Sequence, residues 1–302
     1  MQVQRRTYRH YAGCLIAGTE PVSPPETNLH LERAYYLTAM IEAPLYGAVQ
    51  SYDGAGMSGG PLHNIAVYPA TKGQGSLFTL LRAIEYGTQG SDAVQELWKA
   101  YAQKEWYVAR DGVLRHMRKG TPIPGSMIID TFTPLGGNVP AAGALWDQAV
   151  YWATLHHRVF ADPKTFHAQQ EFAIDYLVST QKIKESVFYG NMNPLTLRVG
   201  DIADSNTLSY AEDLAMCLYH SNSVNAPAPA VSTLTKVLSV HKRGTGFAAA
   251  LIKELAEHSY GNWETRYVRT RAAAIMADLW PLELFRGPTA VMPMFRTRDE
   301  IG

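Results

Sequence analysis

The stretch from residue 44 to residue 61 constrains the fold of this chain more than any other part of the sequence. It holds Pro44, Gly47, Gly54, Gly56, Gly59, Gly60 and Pro61. Glycine and proline at this density are incompatible with a helix, whereas the apolar segments 48–52 and 64–68 suit short β-strands. We therefore expect a small β-hairpin region inside a chain whose other segments are mainly helical.

Most of the remaining sequence has helical periodicity. Residues 29–43 have apolar side chains at helical spacing with Asn28 as the expected N-cap, and Pro44 predicts an end near Glu42 because the residue before proline avoids the helical region. Further helices are expected from Ser76, and over 94–107, 142–161, 164–180, 207–220, 230–241, 246–258 and 262–279. Residues 120–141 are predicted to be a connector in which 127–129 form a strand or a buried loop. The sequence thus predicts an α+β protein that is predominantly α-helical.

The domain organisation is expected to be simple. No internal repeat and no clear shift in composition divides the 302 residues. We expect a single domain over residues 1–285, in which 160–285 form a second, helical lobe, followed by a C-terminal tail over 286–302. The segment 222–230 is the best candidate for a linker because it is rich in Asn, Pro and Ala.

Charge and hydropathy narrow the classes of partner and location. Lys and Arg together number 27, as do Asp and Glu, so no basic field favours a nucleic acid. No run of 18 apolar residues is present, so we expect no membrane insertion. The apolar run after the basic N-terminal residues is too short for a Sec signal peptide. A function outside the cytoplasm would therefore need another route of delivery.

Metal and cofactor sites are not expected from the spacing of ligand-type residues. Cys14 and Cys217 have no CxxC or paired histidine spacing around them and are expected to be buried, with a single disulfide possible. His156 and His157 are adjacent, so on a helix they point to different faces and do not match HExxH. The sequence therefore predicts no metal and no cofactor.

Two carboxylates lie around the start of the glycine-rich stretch. Glu42 ends the predicted helix on or beside its inward-facing stripe, where partial burial and the negative end of the helix dipole both favour the protonated form. Asp53 opens a turn whose backbone N–H groups, with the Ser58 hydroxyl, can solvate an anion. One protonated and one ionised carboxyl is the pair that glycoside hydrolysis uses. Residues 56–60 also match G-x-S-x-G, but no helix follows the serine as a nucleophile elbow requires.

The order of these motifs resembles the lysozyme-like superfamily. A helix ending in Glu42 is followed by segments 46–49, 52–60 and 73–77, which match the family pattern of Tyr-Gly, Asp-Gly-x-Gly and Gly-Gln-Gly-Ser-Leu. The chain is most similar to bacterial and phage peptidoglycan hydrolases and to the related chitosanases. The resemblance implies a lysozyme-like fold with a small β-hairpin sheet and added helices.

The resemblance also implies roles for individual residues. Glu42 would be the general acid, Asp53 the second carboxylate, and Ser58 the residue that holds the attacking water or orients the sugar. Candidate substrate-binding residues are Tyr46, Tyr52, His63, Gln74 and Trp146, the last because aromatic faces stack on sugar rings. Relatives usually carry Gln where this chain has His63, and Glu32 and Glu26 are alternative acids.

The activity implied is cleavage of the β-1,4 glycan of bacterial peptidoglycan, as by a phage lysin, a virion-associated lysozyme or a secreted antibacterial effector. Such a protein acts in the periplasm or at the cell wall, with a peptidoglycan strand as its partner. The neutral net charge differs from that of strongly cationic free lysozymes and favours delivery by a virion or secretion assembly. A lytic transglycosylase, a chitosanase and a non-catalytic structural or binding protein stay open as alternatives.

Overall fold

The chain is a mixed α+β protein that is mostly helical, as predicted. The computed structural model describes residues 1–8, 11–26, 30–51, 54–88, 91–140, 142–179, 208–241, 244–258, 263–287 and 290–292. The chain forms two compact units. Unit 1 comprises Met1–Val22 and Glu42–Ala173, and unit 2 comprises Ser23–Ile41 and Ile174–Gly302.

The strands that the structure describes lie in unit 1. They are β1 (Val3–Tyr8), β2 (Tyr11–Ile16), β3 (Glu20–Pro21), β4 (Leu45–Tyr46), β5 (Val49–Ser51), β6 (Ser58–Gly59), β7 (Asn64–Ile65), β8 (Trp106–Val108) and β9 (Leu114–His116). Five of them form an antiparallel sheet in the order β1-β2-β5-β6-β7. The pairs β3–β4 and β8–β9 form separate two-stranded ribbons. The glycine-rich stretch is therefore part of a sheet, as predicted, but that sheet also contains the N-terminal hairpin.

The α-helices within the described ranges are α1 (His30–Glu42), α2 (Leu77–Gly87), α3 (Asp92–Gln103), α4 (Gly125–Phe132), α5 (Ala144–Phe160), α6 (Phe166–Ser179), α7 (Tyr210–Asn225), α8 (Pro227–Val240), α9 (Thr245–His258) and α10 (Trp263–Met276). Most of their bounds agree with the predicted helices to within a few residues. The prediction of a helix over 94–107 was wrong at its end, because α3 ends at Gln103, Glu105 has φ of +58° and Trp106–Val108 form β8. The expected strand or loop at 127–129 lies inside α4. Ile128, Ile129 and Phe132 are buried on that helix, so the connector prediction over 120–141 was wrong there.

The core of unit 1 contains a buried histidine held in one tautomer. His156 Nδ1 lies 2.8 Å from the Trp152 carbonyl oxygen, to which it must donate, so Nε2 accepts the hydroxyl hydrogen of Tyr101 at 2.9 Å. His156 is fully buried, and this burial lowers its pKa from 6.5 to about 4. The neutral imidazole is therefore part of the folded structure.

We expect acid to destabilise the chain through this histidine. Because the pKa of His156 is lower in the folded state, the unfolded chain takes up the proton first as pH falls below 6.5. The stabilisation that the neutral His156 ring gives the folded state is then lost by about pH 4. The loss is about 2–3 kcal/mol between pH 6.5 and 4.5. Urea unfolding at both pH values measures it. The non-titrating variant His156→Gln should show a shallower pH dependence, and an unchanged slope would contradict this assignment.

Unit 2 is built around α7. A capping box between Ser209 and Glu212 starts this helix, every residue from 211 to 221 is buried, and α8 and α9 pack against it. The predicted linker at 222–230 is wrong, because α7 runs to Asn225 and α8 begins at Pro227, a residue that suits the first turn of a helix. Only Ala226 separates the two helices.

Part of the predicted C-terminal tail packs into the structure. Val291 and Met292 are buried, and the Met292 amide donates to the Leu284 carbonyl oxygen at 3.0 Å. Residues 293–302 lie outside the described residues. No helix within the described ranges is both long enough and apolar enough to cross a membrane.

Candidate functional site

Glu42 is the last residue of α1, where the sequence places it. Its side chain is half-buried. β4 begins at Leu45 and β5 at Val49, so Glu42 lies in sequence between α1 and two antiparallel strands. Of the alternative acids, Glu32 lies in the first turn of α1, about 15 Å from Glu42 along the helix axis, and Glu26 is exposed.

The glycines that follow allow helices to pack directly on the backbone of the hairpin. A Cβ at Gly59 would lie 2.5 Å from Cε2 of Phe160 in α5. Gly56 has φ of +76°, and a Cβ there would lie 3.3 Å from Ile129 in α4. Its carbonyl oxygen accepts a hydrogen bond from the Thr133 hydroxyl. The high glycine content is therefore explained by close packing at these two positions.

Ser58 lies in β6 and is fully buried. Its Oγ has no hydrogen-bond partner among the described residues. A hydroxyl in this position cannot hold an attacking water at a solvent-filled groove. Of the three predicted catalytic residues, Glu42 is half-buried, Ser58 is enclosed, and Asp53 lies outside the described residues, as does Tyr52.

Three predicted substrate contacts are engaged with the protein itself. Tyr46 is buried and stacks on Phe166, with ring centroids 4.0 Å apart. The Gln74 amide donates to the carbonyl oxygens of Leu114 and Ile123 at 2.8 and 2.9 Å and accepts from the Leu114 amide at 2.7 Å. Trp146 is half-buried and packs against the hydrophobic core. These contacts give all three side chains a structural role.

His63 has an unusual backbone conformation. It is half-buried and has φ of +48°, which non-glycine residues seldom adopt. Its amide donates to the Gly60 carbonyl oxygen at 3.0 Å, so the unusual backbone belongs to the tight turn between β6 and β7. His63 thus lies in the turn of the hairpin with its side chain partly exposed.

His157 on α5 forms a hydrogen bond with the backbone that follows Glu42. Its Nδ1 donates to the Gly47 carbonyl oxygen at 2.6 Å. Burial lowers the pKa of His157, so it is the neutral ring that makes this bond. Gly47 has φ of +86°, and a Cβ there would lie 2.8 Å from Ala161. These two contacts therefore hold the backbone between Glu42 and β5 against the C-terminal end of α5.

No family model, curated protein or solved structure matches this chain. Of the two predicted catalytic carboxyls, the structure describes Glu42, which is half-buried.

A second group of functional residue types lies in unit 2, and the sequence analysis missed it. His30 Nδ1 donates to Asp213 Oδ1 at 2.6 Å. Asp213 Oδ2 accepts from Arg33 at 2.8 Å and from the Trp280 indole at 2.7 Å. Cys217 Sγ lies 3.7 Å from His30 Nδ1. The sequence signal was the spacing of four between Asp213 and Cys217, which places both on one face of α7.

Burial controls the ionisation of this group. It opposes the charge on Asp213, but the hydrogen bonds and positive charges of His30 and Arg33 hold the pKa of that carboxyl below its usual range. Burial, reinforced by the negative charge of Asp213, raises the pKa of the Cys217 thiol well above its ordinary value. In this state the site holds a carboxylate and a neutral thiol.

Proposed function

We propose that this chain is a glycoside hydrolase that cleaves the β-1,4 glycan of bacterial peptidoglycan, with Glu42 as the general acid. The observation that carries this proposal is the position of Glu42 at the end of α1, directly before antiparallel strands and half-buried. A carboxylic acid that protonates the leaving oxygen must reach the substrate. Partial exposure at the end of α1 leaves the Glu42 carboxyl group accessible.

Asp53 is proposed as the second carboxylate. It follows the last residue of β5, Ser51, by two positions and lies eleven residues after Glu42 in the sequence. An ionised carboxylate there would stabilise the oxocarbenium ion or activate water. Delivery by a virion or secretion assembly to the periplasm or cell wall, with no role for nucleic acid, belongs to the same proposal.

The enclosure of Ser58 supports a second candidate, a lytic transglycosylase. A hydrolase needs a bound water as the attacking group, and Ser58 is fully buried instead of facing solvent. In a transglycosylase, a hydroxyl of the sugar itself attacks the anomeric carbon and leaves an anhydro end. One carboxyl group then suffices, and Asp53 becomes dispensable.

The two candidates predict different products from purified peptidoglycan. The full chain is incubated with peptidoglycan and, separately, with chitosan, and the soluble fragments are analysed by mass. We expect release from peptidoglycan with new reducing ends if water attacks, and with anhydro ends and an active Asp53→Asn variant if a sugar hydroxyl attacks. Release from chitosan alone would change the substrate to glucosamine polymers. If neither polymer is cleaved, the enzyme proposal is overturned in favour of a binding or structural protein.

A further inference from the structure

The buried group on α1 and α7 brings three metal-ligating side chains together. The ligand atoms of His30, Asp213 and Cys217 all lie within 4.8 Å of one another, and all three residues are buried. His220, also fully buried, lies beside them with its ring centroid 5.2 Å from that of His30. An imidazole, a carboxylate and a thiol are ligand types that zinc accepts.

The spacing of these residues follows from helix geometry. Asp213, Cys217 and His220 occur at intervals of four and three, so they share one face of α7. His30 begins α1 and lies against that face through its contacts with Asp213 and Cys217. The cluster therefore joins two helices that are far apart in sequence but belong to the same unit.

Hydrogen bonds from two neighbouring side chains orient the Asp213 carboxylate. Arg33 and the Trp280 indole both bind Asp213 Oδ2, which leaves Oδ1 turned toward His30. Hydrogen bonds of this kind to the oxygen that does not bind the ion are typical of carboxylates that ligate metals. The Nδ1 to Sγ separation of 3.7 Å agrees with the roughly 3.3–3.7 Å between ligand atoms on one tetrahedral zinc ion.

Charge permits a cation at this place. Asp213 is paired with His30 and with Arg33. A zinc ion that replaces the thiol proton of Cys217 and the Nδ1 proton of His30 leaves the net charge of the buried cluster unchanged. Binding would replace the hydrogen bond between His30 and Asp213 by two bonds to the ion.

We infer that unit 2 holds a structural zinc ion bound by His30 Nδ1, Asp213 Oδ1 and Cys217 Sγ, with His220 completing the coordination after side-chain rotation. On binding, the thiol proton of Cys217 and the Nδ1 proton of His30 pass to solvent, and Nε2 of His30 keeps its proton. Enclosure of the ligands leaves no open position for water or substrate, which is characteristic of structural sites. This inference departs from the metal-free chain expected from cysteine spacing.

The test uses the full chain and Zn²⁺ or Co²⁺ alone. Protein produced with zinc in the medium should retain about one ion per chain after gel filtration. Removing the ion with a chelator should lower Tm, and adding Zn²⁺ should restore it. With Co²⁺ the wild type should show sulfur-to-metal charge-transfer absorption in the near ultraviolet.

Cys217→Ser is the decisive variant, and Cys14→Ser is its matched control, because both residues are fully buried free cysteines. Cys217→Ser should lose the charge-transfer band and bind Zn²⁺ more weakly by a factor of about 100 or more, since a direct ligand matters at least as much as an outer contact. Cys14→Ser should behave as wild type. Wild-type protein without bound zinc and without a Tm response to Zn²⁺ would overturn the inference, as would unchanged affinity in Cys217→Ser. The wild-type metal content and cobalt spectrum decide the matter even if Cys217→Ser does not fold.

Discussion

Glu42→Gln is expected to lower the rate of fragment release from peptidoglycan by about 10²- to 10⁴-fold, the usual contribution of a general acid. Glutamine has nearly the shape of glutamate but has no proton to give to the leaving oxygen. The half-buried position of Glu42 at a helix end should accept this isosteric change without loss of fold. The rate of release at equal enzyme concentrations, with thermal unfolding of both proteins as a check, measures the effect.

Glu32→Gln provides the matched control for that experiment. Glu32 is also half-buried and lies on the same helix, so the chemical change is identical while the position differs. We expect Glu32→Gln to keep wild-type activity. If Glu32→Gln is inactive and Glu42→Gln is not, the general acid has been assigned to the wrong residue.

Gly75→Ala is expected to destabilise the chain by about 3–5 kcal/mol, the upper range for single substitutions. A Cβ at this position would lie 2.2 Å from the Ile65 carbonyl oxygen and 2.9 Å from its carbonyl carbon. Both contacts are with backbone, which no side-chain rotation relieves. The Gly75 amide also donates to the Ala66 carbonyl oxygen at 2.8 Å, so the chain cannot move away without losing that bond. Urea unfolding at neutral pH gives the change in free energy.

Gly73→Ala is the control for this prediction, two residues away in the same loop. Its closest neighbour would be the Thr71 hydroxyl at 3.3 Å, which belongs to an exposed side chain that can rotate. Surface changes of this kind usually alter stability by less than about 0.5 kcal/mol. Equal stability of the two variants would show that Gly75 is not held against Ile65 in solution.

Helices and their ends were predictable where one local signal dominated. The helix that ends at Glu42 was predicted from Pro44 and a stripe of apolar residues, and α1 ends there. The N-terminal hairpin was not predicted, because β1 lies at the edge of the sheet and has exposed basic residues such as Arg5 and Arg6. Charged side chains protect an edge strand from further pairing, and they also hide the alternation that marks a strand in a sequence.

The roles of the site residues were harder to predict than the fold. The motif containing Gln74 and Gly75 suggested substrate contact, yet Gln74 is bonded to the backbone at Leu114 and Ile123. A sequence pattern shows that a residue type is required, but it does not distinguish a contact with substrate from one with a distant part of the chain. The surroundings of Cys217 could not be predicted for the same reason, because His30, which contacts it, lies 187 positions earlier in the sequence.

The division of the chain between its two units has a consequence for biosynthesis. The first twelve residues of α1 belong to unit 2, whose second segment begins at Ile174. Apolar side chains of that helix, such as Leu31 and Leu37, are fully or almost fully buried. At ribosomal rates, α7 emerges roughly 10–30 s after α1. During this time the apolar side chains of α1 lack the residues that cover them in the folded unit. A chaperone bound to α1 during this interval would leave the 42–173 segment free to fold first.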